Sequence, residues 1–200
     1  MPDTGVQRDN PPRMEELLNV AARLFHEKGV KATSLAEIGD ELGMNKASLY
    51  YYIKSKEDLL TRVIFRASQR LRDLAEGIAA DTAPPDLALE RLVRTHCETI
   101  LEHPDEFGTV ICQRRYISDN VHSAISDRER AYTDGLKSLI TRGIDAGLFR
   151  PMQASVATQL VLDSINSLLR WYRPAGALNR NQAIEEIVSF IRNALTVDRS

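Results

Sequence analysis

Cysteine is nearly absent from this sequence. Cys97 and Cys112 are the only two in 200 residues. Both fall among apolar residues of helical spacing, which reads as two reduced core thiols and not as a disulfide framework. His96, Cys97, His103 and Cys112 lack the spacing of a closed tetrahedral site, so no metal is expected. The chain has no glycine-rich phosphate loop, no HExxH pair and no nucleophile elbow, which argues against an enzyme and against a bound cofactor. His96 and Cys97 are adjacent in sequence, so on a helix their side chains diverge instead of forming a dyad. Long hydrophobic runs are missing too. The longest uncharged stretch, residues 151–162, is far too short to cross a bilayer, and the N-terminus lacks the basic-then-apolar layout of a signal peptide. A cytoplasmic protein without a membrane partner is the expectation. Positive charge is also in short supply. The formal net charge is −2, and residues 1–60 carry eight Lys or Arg against ten Asp or Glu. Gross charge therefore gives no hint of nucleic acid.

What is present is helix. With 43% hydrophobic and 27% charged residues, the chain can bury a substantial core in one or two domains. Apolar residues recur at spacings of three and four with few alternating runs, which predicts an all-α protein.

The densest signals lie in residues 33–60, TSLAEIGDELGMNKASLYYYIKSKEDLL. Thr33 is placed to cap a helix whose apolar face is Leu35, Ile38 and Leu42, with Glu37 near its positive end. Gly43 ends that helix, since glycine takes the left-handed C′ conformation at no steric cost. Asn45 can cap a second helix from Lys46 to about Ile53. The pattern Ser55-Lys56-Glu57-Asp58 reads as the capping box of a third, which continues to about Ala80. Two short helices joined by a turn of three or four residues containing glycine have the spacing of a helix-turn-helix. Leu49 and Ile53 turn one face of the second helix inward. That leaves Lys46, Ala47, Ser48, Tyr50, Tyr51 and Tyr52 on or near the other, where small residues approach base edges while hydroxyls and ammonium groups reach phosphates. From Met44 to Lys56 there are three lysines and no acid. The plainer reading, core tyrosines beside a solvated lysine face, fails for at least one ring, because neighbours on a helix point 100° apart.

This stretch resembles the DNA-binding domain of the TetR family of bacterial repressors. Thr33, Ser34, Ile38, Gly43, Met44, Leu49, Tyr50, Tyr52, Ser55, Lys56 and Leu59 match the family pattern in register. Gly39 stands where alanine is usual and Ile53 where phenylalanine is usual, both at packing positions. The resemblance implies an N-terminal three-helix helix-turn-helix domain and a C-terminal helical domain for ligand binding and dimerisation. The DNA-contacting set is then Thr33, Ser34, Asn45, Lys46, Ala47, Ser48, Tyr50, Tyr51, Tyr52, Lys54 and Lys56.

The rest of the chain divides accordingly. Residues 1–12 are polar and proline-rich, a disordered arm from which Arg8 and Arg13 could touch the DNA backbone or minor groove, the plainer reading being a mobile tail. Residues 13–60 form the DNA-binding domain, opened by an amphipathic helix from about Met14 to Lys28 that stops at Gly29. In residues 61–200, Asp86 can cap a helix to Glu102, and 105–117 reads as a short helix. A long helix runs from about Asn120 to Gly147, another from about Ala154 to Tyr172, and a last from about Gln182 to Thr196 with the stripe Ile184, Ile187, Val188, Ile191 and Leu195. The resemblance implies that the last two pair with their copies in a homodimer, which would read palindromic half-sites one DNA turn, ~34 Å, apart. The alternative is that both stripes close the core of a monomer.

RWYRPAGALN, residues 170–179, resembles a segment in a branch of the family that senses acyl-CoA thioesters. Such a ligand needs an apolar channel and cations for its phosphates. The candidates are Arg114, Arg115, Arg170 and Arg173, with Trp171 and Tyr172 available to stack; the plainer reading is surface ion pairs, for example with Asp163. The function expected is a ligand-responsive repressor released from its operator by a small hydrophobic effector. The alternatives are a hydrophobic-drug sensor, a helical acyl-CoA-binding protein without DNA binding, and a helical enzyme acting on acyl-CoA.

Overall fold

A computed structural model describes residues 11–116 and 119–197. Ten α-helices and a short 3-10 turn account for nearly all of the described chain, and no strand occurs among the described residues. The expected arm with Arg8 falls outside them, but Pro11 and Pro12 open α1 (Pro11–Lys28). Proline suits the first turn of a helix, where an N–H would have no partner.

The chain forms two compact units. The first comprises residues 1–67 and 105–122, the second residues 68–104 and 123–200. The first contains α1, α2 (Leu35–Glu41), α3 (Lys46–Tyr52), the start of α4 (Lys56–Ala80) and α6 (Pro104–Gln113), followed by the 3-10 turn Arg114–Tyr116. Leu17, Ala21 and Phe25 of α1, Ile38 of α2, Leu49 of α3 and Leu59, Leu60, Val63 and Ile64 of α4 are buried in it. Polar links join α6 to α1 and the loop after it: Thr109 donates its hydroxyl to the Ala22 carbonyl at 3.0 Å, His26 Nδ1 meets Asp105 at 3.0 Å, and Val30 N–H donates to Gln113 Oε1 at 3.2 Å. Buried Glu106 is paired with Arg66.

The second unit holds the rest of α4, α5 (Pro85–Glu102), most of α7 (Asp119–Asp145), α8 (Ala154–Asn166), α9 (Leu168–Trp171) and α10 (Arg180–Leu195). The stripe Ile184, Ile187, Val188, Ile191 and Leu195 is buried within the protomer, with α10 lying against α5 and α8. Gly29, Gly43 and Gly147 terminate their helices with positive φ, as their positions after the last apolar residue predict.

Two expectations about helix ends and one about a thiol need correction. Asp86 does not cap α5: Pro84 occupies the N-cap and Pro85 the first helical position, with no side-chain cap bond. The helix expected over 154–172 is broken at Ser167 into α8 and α9. The hydroxyls of Ser164 and Ser167 bond the carbonyls of Leu160 and Ser164, a competition with the backbone ladder that bends helices. Cys112 is exposed and only Cys97 is a core thiol. Burial pushes the Cys97 thiol up to about 12.

At the centre of the second unit, the Tyr132 hydroxyl and His96 Nδ1 share a 2.7 Å hydrogen bond between two buried side chains. Burial lowers the His96 pKa to about 3 and raises that of Tyr132. The imidazole is therefore neutral and the phenol keeps the proton it donates.

Candidate nucleic-acid interface

Local hydrogen bonds define the α2–turn–α3 unit. Ser34, not Thr33, is the N-cap of α2. Its Oγ accepts from Glu37 N–H at 3.1 Å, and the Glu37 carboxylate accepts from Ser34 N–H. Thr33 is buried, and its hydroxyl reaches back to the carbonyls of Gly29 at 3.0 Å and Leu24 at 3.2 Å. It holds the α1–α2 loop instead of presenting a donor to DNA. After α2 the chain turns at Gly43, φ +62, and Met44 N–H donates to the Gly39 carbonyl at 2.8 Å. Gly39 lies so close that a Cβ there would sit 2.8 Å from both the Met44 carbonyl oxygen and Leu49 Cδ1. The departure from alanine thus accompanies a tight approach of the turn to α2. Ile53, the other departure, is buried at the end of α3.

Asn45 caps α3, its side-chain oxygen accepting from Ser48 N–H at 2.8 Å. Leu49 is buried beneath the helix while Lys46 and Ala47 are exposed and Ser48 and Tyr52 half-buried. Tyr50 is 47% and Tyr51 66% exposed. Tyr51 and Tyr52 stack edge to face at 5.2 Å, and the Lys46 ammonium lies 6.0 Å from the Tyr50 ring. A short helix therefore presents small residues at its start and large amphipathic rings after it, a surface able to enter a groove and to contact phosphates on its flanks.

Lys56 behaves differently from Lys46 and Lys54. Its ammonium donates to the carbonyls of Val30 at 2.7 Å and Thr33 at 2.9 Å. It fastens the start of α4 to the α1–α2 loop, so two of its three donors are taken. Lys54 is exposed and makes no side-chain bond among the described residues, though its backbone N–H donates to Asp58 at 2.9 Å.

Sequence comparison agrees with this geometry. Residues 17–63 match the model described as "Bacterial regulatory proteins, tetR family", and residues 82–195 match "Tetracyclin repressor-like, C-terminal domain". The chain belongs to the TetR family. It is 29% identical over 188 residues to the HTH-type transcriptional repressor KstR2 of Mycobacterium tuberculosis, spanning 92% of this chain and 93% of that protein. It is 28% identical over 200 residues to the transcriptional activator FasR of Mycolicibacterium smegmatis, spanning 98% and 90%. The structure of the ketosteroid transcriptional regulator KstR2 superposes with a TM-score of 0.86 at 28% identity, covering 93% of this chain and 96% of that one. AibR in complex with isovaleryl coenzyme A and operator DNA has the same fold, with a TM-score of 0.80 at 24% identity, covering 89% and 97%. TetR-family proteins are transcriptional regulators that bind operator DNA, act as dimers and respond to small molecules.

The second unit of this TetR-family chain contains a cleft of about 260 Å³ among α4, α5 and α7. Leu74, Ile78, Ala88, Leu92 and Leu139 give it an aliphatic lining, and Asp73, Asp81, Arg91 and Thr95 supply polar groups. Arg91 grips Asp81 through two nitrogens, at 2.6 and 3.1 Å. The Ala83 N–H and then the Arg91 guanidinium hold the Asp81 carboxyl below its ordinary value. The C-terminal half of α4, whose Leu74 and Ile78 line this cleft, carried no motif; only its periodicity could have pointed to it.

Arg170, Trp171 and Arg173 do not line the cleft. All three are exposed, at and just beyond α9. Trp171 Nε1 donates to Ser167 Oγ at 3.0 Å, and Arg173 bonds the Tyr172 carbonyl at 2.8 Å. Neither arginine forms an ion pair among the described residues, and Asp163 accepts from Gln159 instead. Arg115 is in the first unit, beside the Tyr116 ring. The Arg114 side chain lies outside the described residues. No helix among the described residues is long and apolar enough to cross a membrane.

Proposed function

We propose that this chain is a ligand-responsive repressor that binds a palindromic operator as a homodimer and is released by a small hydrophobic effector. The observation that carries the reading is the α3 surface: exposed Tyr50 and Tyr51, small residues at the helix start, and Lys46 and Lys54 without a carboxylate partner among the described residues. Ser34, Asn45, Lys46, Ala47, Ser48, the three tyrosines and Lys54 form the DNA-contacting set. Thr33 and Lys56 support the loop beside it.

Dimerisation uses the outer faces of α8 and α10, since the inner stripe of α10 is already buried against α5. Val156, Leu160 and Phe190 are 48%, 57% and 63% exposed, an apolar surface that a second copy would cover. The effector is an acyl-CoA thioester, its acyl part in the aliphatic cleft and its polar part on cations such as Arg170 and Arg173 beside Trp171. Such a ligand acts only through its difference in affinity for the DNA-bound and released forms, and each tenfold loss of DNA affinity takes about 1.4 kcal/mol of that preference. A hydrophobic-drug sensor remains the second reading, favoured by the aliphatic lining of the cleft.

The test is an electrophoretic mobility shift on DNA from the chain's own upstream region, with CoA thioesters or the matching free acids added. Release by thioesters at concentrations where free acids do nothing supports the reading. Equal potency of free acids moves it to the hydrophobic-ligand alternative, and failure to bind any DNA with the wild-type protein sinks it.

A further inference from the structure

Half of the described lysines and arginines of the first unit are held by acids of the same unit. Arg13, Arg23, Lys28, Arg62 and Arg66 each hold a carboxylate, and Lys56 holds two carbonyls. Among the described residues, the lysines and arginines of this unit whose side chains bond neither an acid nor a carbonyl are Lys46 and Lys54, at the ends of α3, and Lys31 and Arg115. The first two belong to the α3 surface. The second two are exposed and converge elsewhere, on one aromatic ring.

The Lys31 ammonium lies 5.3 Å and the Arg115 guanidinium 5.0 Å from the centroid of the Tyr116 ring. At most about 10 Å therefore separates the two charges, one Debye length at moderate salt, and they repel each other. A built scaffold maintains this arrangement. Val30, next to Lys31, donates its N–H to the buried side chain of Gln113, two residues before Arg115. The same loop is fixed by Lys56 on Val30 and Thr33 and by the Thr33 hydroxyl on Gly29. Two like charges against one ring, neither bonded to an acid, beside a phenol able to donate a hydrogen bond, can draw in a phosphate group.

We propose that Lys31, Arg115 and Tyr116 form a phosphate-binding clip on the DNA-binding unit, separate from the α3 surface. Its ligand is a phosphate ester. The two sources are the DNA backbone flanking the stretch that α3 reads and the phosphates of a CoA-type effector. The inference rests on the regulator reading above, and the test separates the two.

Lys31→Ala, Arg115→Ala and Tyr116→Phe proteins are titrated with operator DNA across a salt series and, separately, with free coenzyme A, with Lys46→Ala as the control for α3. Circular dichroism melting checks that each variant folds, and Lys31→Arg keeps the charge. If the clip holds DNA, Lys31→Ala and Arg115→Ala each lower the salt slope by about 1, as one lost phosphate contact requires, and Lys31→Arg restores it. If it holds effector, the DNA slope is unchanged while coenzyme A affinity falls at least tenfold. Lys46→Ala lowering the slope while both clip variants leave DNA and coenzyme A binding untouched overturns the clip and spares the α3 reading. A wild-type protein that binds neither DNA nor coenzyme A overturns both.

Discussion

Acidification should destabilise the second unit earlier than its carboxylates alone would allow, and His96 sets the onset. In the folded protein its ring is buried, which lowers its pKa from 6.5 to about 3, and it is bonded to Tyr132. In the unfolded chain it returns to the ordinary value. The unfolded state therefore binds a proton that the native state refuses throughout the interval between about 3 and 6.5. Stability rises with pH wherever the unfolded state binds more protons, so this contribution is intact above about pH 7 and lost progressively as pH falls below 6.5. The slope approaches 1.4 kcal/mol per pH unit, giving a loss of about 2 kcal/mol at pH 5 and flattening only below about 3. Carboxylates with ordinary values titrate mostly below about pH 5, so between about pH 5 and 7 the histidine is separable from them.

The measurement is urea unfolding followed by far-UV circular dichroism at steps from about pH 7.5 to about pH 5. His96→Gln removes the titration and leaves a side chain that can still accept from Tyr132. The variant will be less stable at neutral pH, since it repacks a buried site, but its curve should be flatter than wild type by nearly one proton below pH 6.5. Parallel curves for the two proteins would refute the reasoning, because they would mean that His96 takes up its proton without unfolding. The direction of Tyr132 adds a check. Its phenol is raised above the ordinary value by burial, so no loss of stability from its ionisation is expected on the alkaline side before pH 10.

Replacing Lys56 by methionine removes two partly buried bonds to carbonyls, and should cost about 1–3 kcal/mol with the operator salt slope unchanged once folding is corrected for; a slope reduced by about 1 would return Lys56 to the phosphate contacts. Leu160→Glu with Phe190→Glu should convert a dimer to monomers in sedimentation velocity and weaken operator binding by more than tenfold, while the exposure of both side chains keeps the protomer's helix content intact. Ser34→Ala should cost about 1 kcal/mol in thermal or urea unfolding through loss of the α2 cap, and Thr33→Ala should cost a comparable amount for a different reason, the loss of the Gly29 and Leu24 bonds. Ser34→Ala without effect would mean that Thr33 takes over the cap.

Signals that act within a turn of helix were legible, and those that need a partner from elsewhere in the chain were not. Glycine after the last apolar residue, asparagine before Lys46 and the three-and-four spacing located α1 to α3 because each bond closes within four residues. Thr33 and Ser34 are adjacent hydroxyls and spacing could not choose between them; the choice was made by the carbonyls of Leu24 on α1 and Gly29 just after it. Lys56 looked like its neighbours Lys46 and Lys54 until Val30 and Thr33 claimed its ammonium. The α10 stripe showed that one face is buried but not what buries it, since core and interface have the same period; α5 covers it, which moves the candidate interface to the outer face.

The same distinction accounts for the acidic balance of a DNA-binding domain. Six of its carboxylates, Glu16, Glu27, Glu37, Glu41, Asp58 and Glu106, are engaged with arginines and lysines of the same unit. A fold that pairs most of its cations internally sets the few unpaired ones apart, on α3 and around Tyr116. Electrostatic attraction for phosphate then depends on where neutralisation is incomplete and not on the sum of charges. A net charge near zero is compatible with tight, salt-dependent binding, and among the described residues the measured slope should report the unpaired cations: Lys46, Lys54 and, if DNA fills the clip, Lys31 and Arg115.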